Sequence, residues 1–272
     1  MRPRRPGEAI PLRERLILAL DEADFPAARA MVERLGPSVE TFKVGVQLFT
    51  ACGPGLIEWL RGQGRSVFLD LKFHDIPAVA ARAIFEAARL GAFMIDVHAS
   101  GGLEMMKACQ EAVASIDPRP LLLAVTVLTS LDAEDLRSLG VSRPLEEQAL
   151  HLTDLALQAG LEGVIASPRE AAAIRRRFGK DCLIVTPGVR PAGLGGSPDQ
   201  KRVATAGQAL AAGADYLVVG RPIREAKDPR EAAEEVLREM AQGLREAEIG
   251  GPAQSSRQGQ GPEERWLKGG RA

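Results

Sequence analysis

The stretch FLDLKFHDIPAVA, residues 68 to 80, puts Asp70, Lys72 and Asp75 within six positions, where an apolar run passes into a helical pattern. Residues two apart on a strand point to the same side, so Asp70 and Lys72 are expected to face one space. Asp75 falls at the helix start, where a carboxylate caps free N–H groups, and Pro77 suits a first helical turn. A lysine held between carboxylates keeps its proton, because opposite charges favour the ammonium form. Such a lysine can stabilise a developing carbanion and deliver a proton to it. A carboxylate beside a substrate carboxylate repels it in the ground state, and that penalty vanishes when carbon dioxide leaves. The cluster suits decarboxylation or proton transfer at carbon. The competing reading is a structural ion pair. Desolvation makes buried charges costly, and the presence of further charges at equivalent places weighs against it.

Those places are the ends of eight apolar runs. The runs are RLILALD (15–21), ETFKVGVQLF (40–49), RSVFLDLK (65–72), AFMIDVH (92–98), LLLAVTVLTS (121–130), EGVIAS (162–167), DCLIVTPGV (181–189) and ADYLVVG (214–220). A helical pattern follows each one, as in DIPAVAARAIFEAARLG and LEEQALHLTDLALQAG. Continuous rather than alternating apolar runs mark strands buried on both faces. Eight βα units in 272 residues predict an α/β fold, a closed (β/α)8 TIM barrel. An open doubly wound sheet is disfavoured, because the first strand leads into LDEADF rather than a glycine-rich dinucleotide turn. Residues 1–250 are expected to form this one domain. The segment 251–272, GPAQSSRQGQGPEERWLKGGRA, has no apolar face and reads as a flexible tail.

Active sites of such barrels gather at the C-terminal ends of the strands. Asp21, Lys43, Asp70, Lys72, Asp96, His98, Thr126, Thr129 and Arg221 all fall there. A ring contributed by many strands is stronger evidence for a site than any one member. The loop TPGVRPAGLGGSPDQKRV (186–203) carries Arg190 and Gln200, and YLVVGRPI (216–223) puts Gly220 and Arg221 just after the eighth strand. Loops after strands seven and eight commonly bind phosphate, through exposed N–H groups and arginine forks. A solvated surface loop is the alternative for either arginine alone.

The totals narrow the classes. A net charge of −1 and 4% aromatic residues argue against a nucleic-acid or anionic-membrane surface. Cys52, Cys109 and Cys182 are distant and odd in number, so neither a disulfide framework nor zinc spacing is expected. His98 reads as a packing residue, since scattered His74, His98 and His151 make a poor metal set. The N-terminus has arginines but no apolar signal region, and no run reaches membrane-spanning length. The expectation is a cytoplasmic protein.

The segments LALD, FKVGVQLF, FLDLKFHDIPAVA, VHASGG, VTVLTS, TPGVRP, DQKRV and YLVVGRPI, in this order over roughly residues 14 to 245, resemble the orotidine 5'-monophosphate decarboxylase family. The resemblance implies decarboxylation to UMP, the last step of de novo UMP synthesis, with no metal and no organic cofactor. It implies that Asp21 and Lys43 contact the ribose, with Lys43 also in the charge network. Asp70 would face the substrate carboxyl group and Lys72 would protonate C6. Thr129 would contact ribose or base, and Arg190, Gln200, Gly220 and Arg221 would clamp the phosphate. It also implies a homodimer in which Asp75 enters the partner's site. The loop AGLGGSPDQ and the proline-free ATAGQALAAG depart from the pattern, and the tail lies outside it. Two alternatives stay open. One is a magnesium-dependent 3-keto sugar-phosphate decarboxylase of the same barrel group, disfavoured by Lys43 and Gln200. The other is a catalytically silent nucleotide binder, disfavoured by the intact charged set.

Overall fold

The computed structural model describes residues 3–190 and 204–249, so the expected tail at 251–272 lies outside the described residues. Eight parallel strands close into a barrel in chain order. They are β1 (Leu16–Ala19), β2 (Thr41–Gly45), β3 (Ser66–Phe73), β4 (Met94–His98), β5 (Leu121–Val125), β6 (Gly163–Ile165), β7 (Leu183–Thr186) and β8 (Tyr216–Val219). The described helices are α1 (Phe25–Leu35), α2 (Val46–Cys52), α3 (Pro54–Gly62), α4 (Pro77–Arg89), α5 (Leu103–Ala112), α6 (Ala133–Ser138), α7 (Leu145–Gln158), α8 (Pro168–Phe178), α9 (Ala206–Ala211), α10 (Arg221–Arg224) and α11 (Pro229–Ile249). The architecture is the TIM barrel read from the sequence.

Each strand divides its side chains between two cores, which is why the runs are apolar throughout. In β1, Ile17 and Ala19 point into the barrel, while Leu16 and Leu18 pack outward under the helices. The interior is filled by Ile17, Phe68, Met94, Leu121, Leu123, Val125, Ile165, Leu183, Val185, Tyr216 and Val218. At its N-terminal end Phe93 meets Tyr216 edge to face, with ring centroids 6.3 Å apart. The same end holds a buried carboxylate, Glu162. It accepts from Arg5 at 2.7 Å, from Arg119 at 2.8 Å and from the Leu122 N–H at 2.9 Å.

Local chemistry sets the helix ends. Asp24 caps α1 by accepting the Ala27 N–H, and Thr205 and Gln208 form a capping box on α9. Two glycines permit close packing. A Cβ at Gly163 would lie 2.1 Å from the Leu183 carbonyl oxygen, and one at Gly243 of α11 would lie 2.3 Å from the Gly207 Cα of α9.

Three sequence expectations shift at their edges. The run 40–49 is not one strand: β2 stops at Gly45, and Val46, 54% exposed, begins α2. Extended backbone at Gly45 caps that helix, so apolar content alone misplaced the boundary. The run 121–130 ends as a strand at Val125. Asp75 does not cap α4. Ile76 occupies the cap position, and the Asp75 carboxylate accepts the adjacent Ile76 N–H at 2.6 Å.

Candidate active site

The side chains that enter the upper barrel come from alternating positions. Lys43 follows Thr41 on the inner face of β2, and Asp70 follows Phe68 on that of β3. Asp96 follows Met94 on β4. Lys43 Nζ lies 3.0 Å from Asp70 Oδ2 and 3.3 Å from Asp21 Oδ1. The other Asp70 oxygen accepts from the Lys72 ammonium. A side chain at Gly45 would put its Cβ 3.1 Å from Lys43 Nζ, so glycine there leaves the ammonium its room.

Burial alone would raise the Asp70 pKa, but Lys43 first, then the Asp96 hydrogen bond and Lys72, outweigh it. The carboxyl is held well below the usual carboxylate range. Burial likewise disfavours the charged Lys43, and Asp70 and Asp21 overcome it, so its pKa rises. His98 is pushed down, chiefly by burial and then by His74 and Lys72.

Lys72 has φ 50°, the one non-glycine residue in the left-handed region among the described residues. It sits where the β3–β4 register shifts between Leu69 and Phe73. Such irregularities re-aim side chains beside active sites, and the conformation costs on the order of 1–3 kcal/mol unless the surroundings impose it. Here Asp96 Oδ1 accepts the Lys72 N–H at 2.8 Å.

A cavity of about 450 Å³ opens over this network. Eight of the ten expected site residues line it: Asp21, Lys43, Asp70, Lys72, Thr129, Arg190, Gly220 and Arg221. Asp75 does not; it is exposed beside α4. Gln200 lies outside the described residues. In a ring of eight strands, β3 and β7 stand opposite each other, so Arg190, which follows β7, faces Asp70 and Lys72 across the mouth. Phe68, Val125, Val127, Leu128 and Ile165 supply apolar wall between. The cavity therefore suits an anionic, partly flat ligand with one end at the arginines and the other at the lysine–carboxylate pair.

Three residues of the ring stay out of the cavity lining: Asp96, Thr126 and His98. Thr126 is buried and donates to the Ile165 carbonyl at 3.0 Å, a structural tie between β5 and β6. His98 lies 3.1 Å from the Ser100 hydroxyl and near the His74 ring, outside the cavity lining. Arg224 lines the cavity and donates to the Asp21 carbonyl, which ties α10 to the end of β1. Its spacing of three from Arg221 on one helical turn was the available signal. Cys109 and Cys182 play no part: burial pushes their thiols up to about 11 and about 12.

The comparisons with known proteins agree with this geometry. The family model described as Orotidine 5'-phosphate decarboxylase / HUMPS family matches residues 14–236. A relative from Syntrophotalea carbinolica, named orotidine 5'-phosphate decarboxylase, is 52% identical over 239 residues, covering 86% of this chain and 98% of its own. One of the same name from Geobacter sulfurreducens is 50% identical over 234 residues, 85% of this chain and 98% of its own. The crystal structure of orotidine 5'-phosphate decarboxylase from Lactobacillus acidophilus superposes with a TM-score of 0.74 at 37% identity, over 83% of this chain and 98% of that one. With a family match over most of its length and relatives at half identity, this chain belongs to the Orotidine 5'-phosphate decarboxylase / HUMPS family.

Proposed function

We propose that the protein is a carboxy-lyase that converts orotidine 5'-phosphate to UMP and carbon dioxide, without metal or organic cofactor. The observation that carries this reading is the cavity itself, which has arginines on one side and Asp70 with two lysines on the other. The substrate phosphate sits at Arg190, Arg221 and the Gly220 N–H, with Gln200 completing the clamp. Asp21 and Lys43 hold the ribose, and Thr129 contacts ribose or base. The pyrimidine carboxylate then faces Asp70.

Repulsion between Asp70 and that carboxylate is relieved as the C–C bond breaks and carbon dioxide departs. The bond's electron pair stays on C6. The Lys72 ammonium stabilises it and transfers a proton to C6, and Lys72 is reprotonated from water. Both oxygens of Asp70 already face ammonium groups, so a divalent cation would have to displace a lysine to bind there. This supports the metal-free reading over a magnesium-dependent one.

Asp75 acts in the partner's site of a homodimer. It is exposed, and beside it stand Ile76 at 65% and Val79 at 37% exposure, apolar side chains suited to a symmetric contact. Inactive Lys72→Ala and Asp75→Asn chains, re-paired at random in equal amounts, should recover roughly a quarter of wild-type activity, because about half of the dimers are mixed and one of the two sites in each mixed dimer is intact. No recovery in verified mixed dimers would remove the crossing role.

The reaction is tested by the ultraviolet absorbance of orotidine 5'-phosphate with pure enzyme and EDTA. Conversion to the UMP spectrum with carbon dioxide released is expected. No conversion in a folded sample would overturn the reading, and conversion only after magnesium is added would overturn its metal-free part.

A further inference from the structure

Asp96 is a mid-strand carboxyl that the proposed chemistry leaves without a role. It is 0% exposed and sits on β4 beneath the Asp70–Lys72 pair. One oxygen, Oδ1, accepts the Lys72 N–H at 2.8 Å. Among the described residues no donor reaches the other, Oδ2, although it is fully enclosed. The neighbour within hydrogen-bonding reach is another carboxyl, that of Asp70. Two bare carboxylates cannot hydrogen-bond, since both only accept, and enclosed charges of one sign cannot both persist at such a separation. A single shared proton converts the clash into a hydrogen bond. Asp70 faces two ammonium groups and Asp96 faces none so closely, so the proton belongs to Asp96.

We propose that Asp96 is a neutral carboxylic acid that positions the site: its O–H donates to Asp70 and its carbonyl oxygen fixes the Lys72 peptide. The groups facing it are Asp70 and Lys72 of β3. Its register partner on β5, Leu123, is apolar. Burial first, and then the charge of Asp70, push its pKa well above the ordinary carboxylate value, in the same sense as the geometry. The acid does two jobs. It holds Lys72 at φ 50°, which aims the ammonium. It also sets the rotation of the Asp70 carboxylate so that one oxygen meets each lysine. Being neutral, it adds no second negative charge under the ligand. Asp96 touches no cavity space itself, so it is a positioning residue.

This deepens the proposed decarboxylase reading and rests on it for the kinetic arm only. Asparagine reproduces a neutral acid, with one acceptor for the Lys72 N–H and one donor for Asp70. Asp96→Asn should keep kcat within about fivefold, and Asp96→Ala should lower kcat by about 10²-fold or more with a smaller change in KM, since proton delivery is a transition-state interaction.

Two arms need no turnover. A carboxylic-acid carbonyl band should appear in the wild-type infrared spectrum at neutral pH and be missing from Asp96→Asn. Folding should also bind one extra proton at Asp96, a contribution present below the unfolded pKa and lost as pH rises toward the raised folded pKa. Asparagine carries no such proton, so the Tm advantage of Asp96→Asn over wild type should widen with pH above about 4. An Asp96→Asn variant as inactive as Asp96→Ala, or a wild type without the band and without the widening Tm gap, would overturn the proposal. Loss of the substrate reading alone would leave the band and the Tm gap in place.

Discussion

Glu162 and Asp70 are both buried carboxylates with two cationic partners, at opposite ends of one barrel. Glu162 is matched completely: two arginines and a backbone N–H converge on it at 2.7 to 2.9 Å. Around it the interior is filled by Phe93, Met94, Leu121 and Tyr216. Asp70 has two lysines as well, yet it stands under a cavity of about 450 Å³, against a second carboxyl and next to a residue held at φ 50°. Buried charge is common to both clusters. Open volume, backbone strain and an acid–acid contact occur at one of them. These three, more than burial, mark where chemistry is placed, because each costs stability and none helps the barrel close.

The sharpest way to test the contrast is Lys72→Ala. Asp70 keeps Lys43 at 3.0 Å, so no buried charge is stranded, and Lys72 is a third exposed. Turnover should fall by at least about 10³-fold, since both charge stabilisation of C6 and its proton are lost, with Tm within a few degrees of wild type. Steady-state kinetics beside a thermal melt check this. Turnover within about tenfold of wild type would sink the role given to Lys72. A large fall in Tm would make the upper cluster a structural device like the lower one.

What was legible in the sequence follows the same division. The strands were readable because each must fill an inner and an outer core, which leaves few polar positions before the upper part of the barrel. Polar residues there then stood out, and eight of the ten named for the site share one cavity. Boundaries were less readable where apolar residues continue past a strand, as at Val46, which begins a helix while half exposed. Asp75 looked like a helix cap because its spacing to Pro77 fits one, but the chain turns one residue later. The contact of Asp96 with Lys72 was out of reach. It depends on the register shift between Leu69 and Phe73, and no local pattern specifies how far a neighbouring strand slips.

The smaller effect belongs to the other end of the barrel. Glu162→Gln keeps the shape but removes the charge that Arg5 and Arg119 share, and turns one acceptor into a donor facing donors. The two arginines are 29% and 36% exposed, so water screens part of the loss. About 2 kcal/mol of stability should go, a fall of roughly 4–8 °C in Tm for a domain of this size. Turnover at a temperature well below the melt should stay within about twofold, because the strands that carry Lys43, Asp70 and Lys72 are fixed by their own ladders and by the apolar layer between the two ends. Loss of turnover in proportion to stability would mean that the two ends act as one cooperative unit. The absence of any destabilisation would mean that Glu162 is buried without holding the barrel closed.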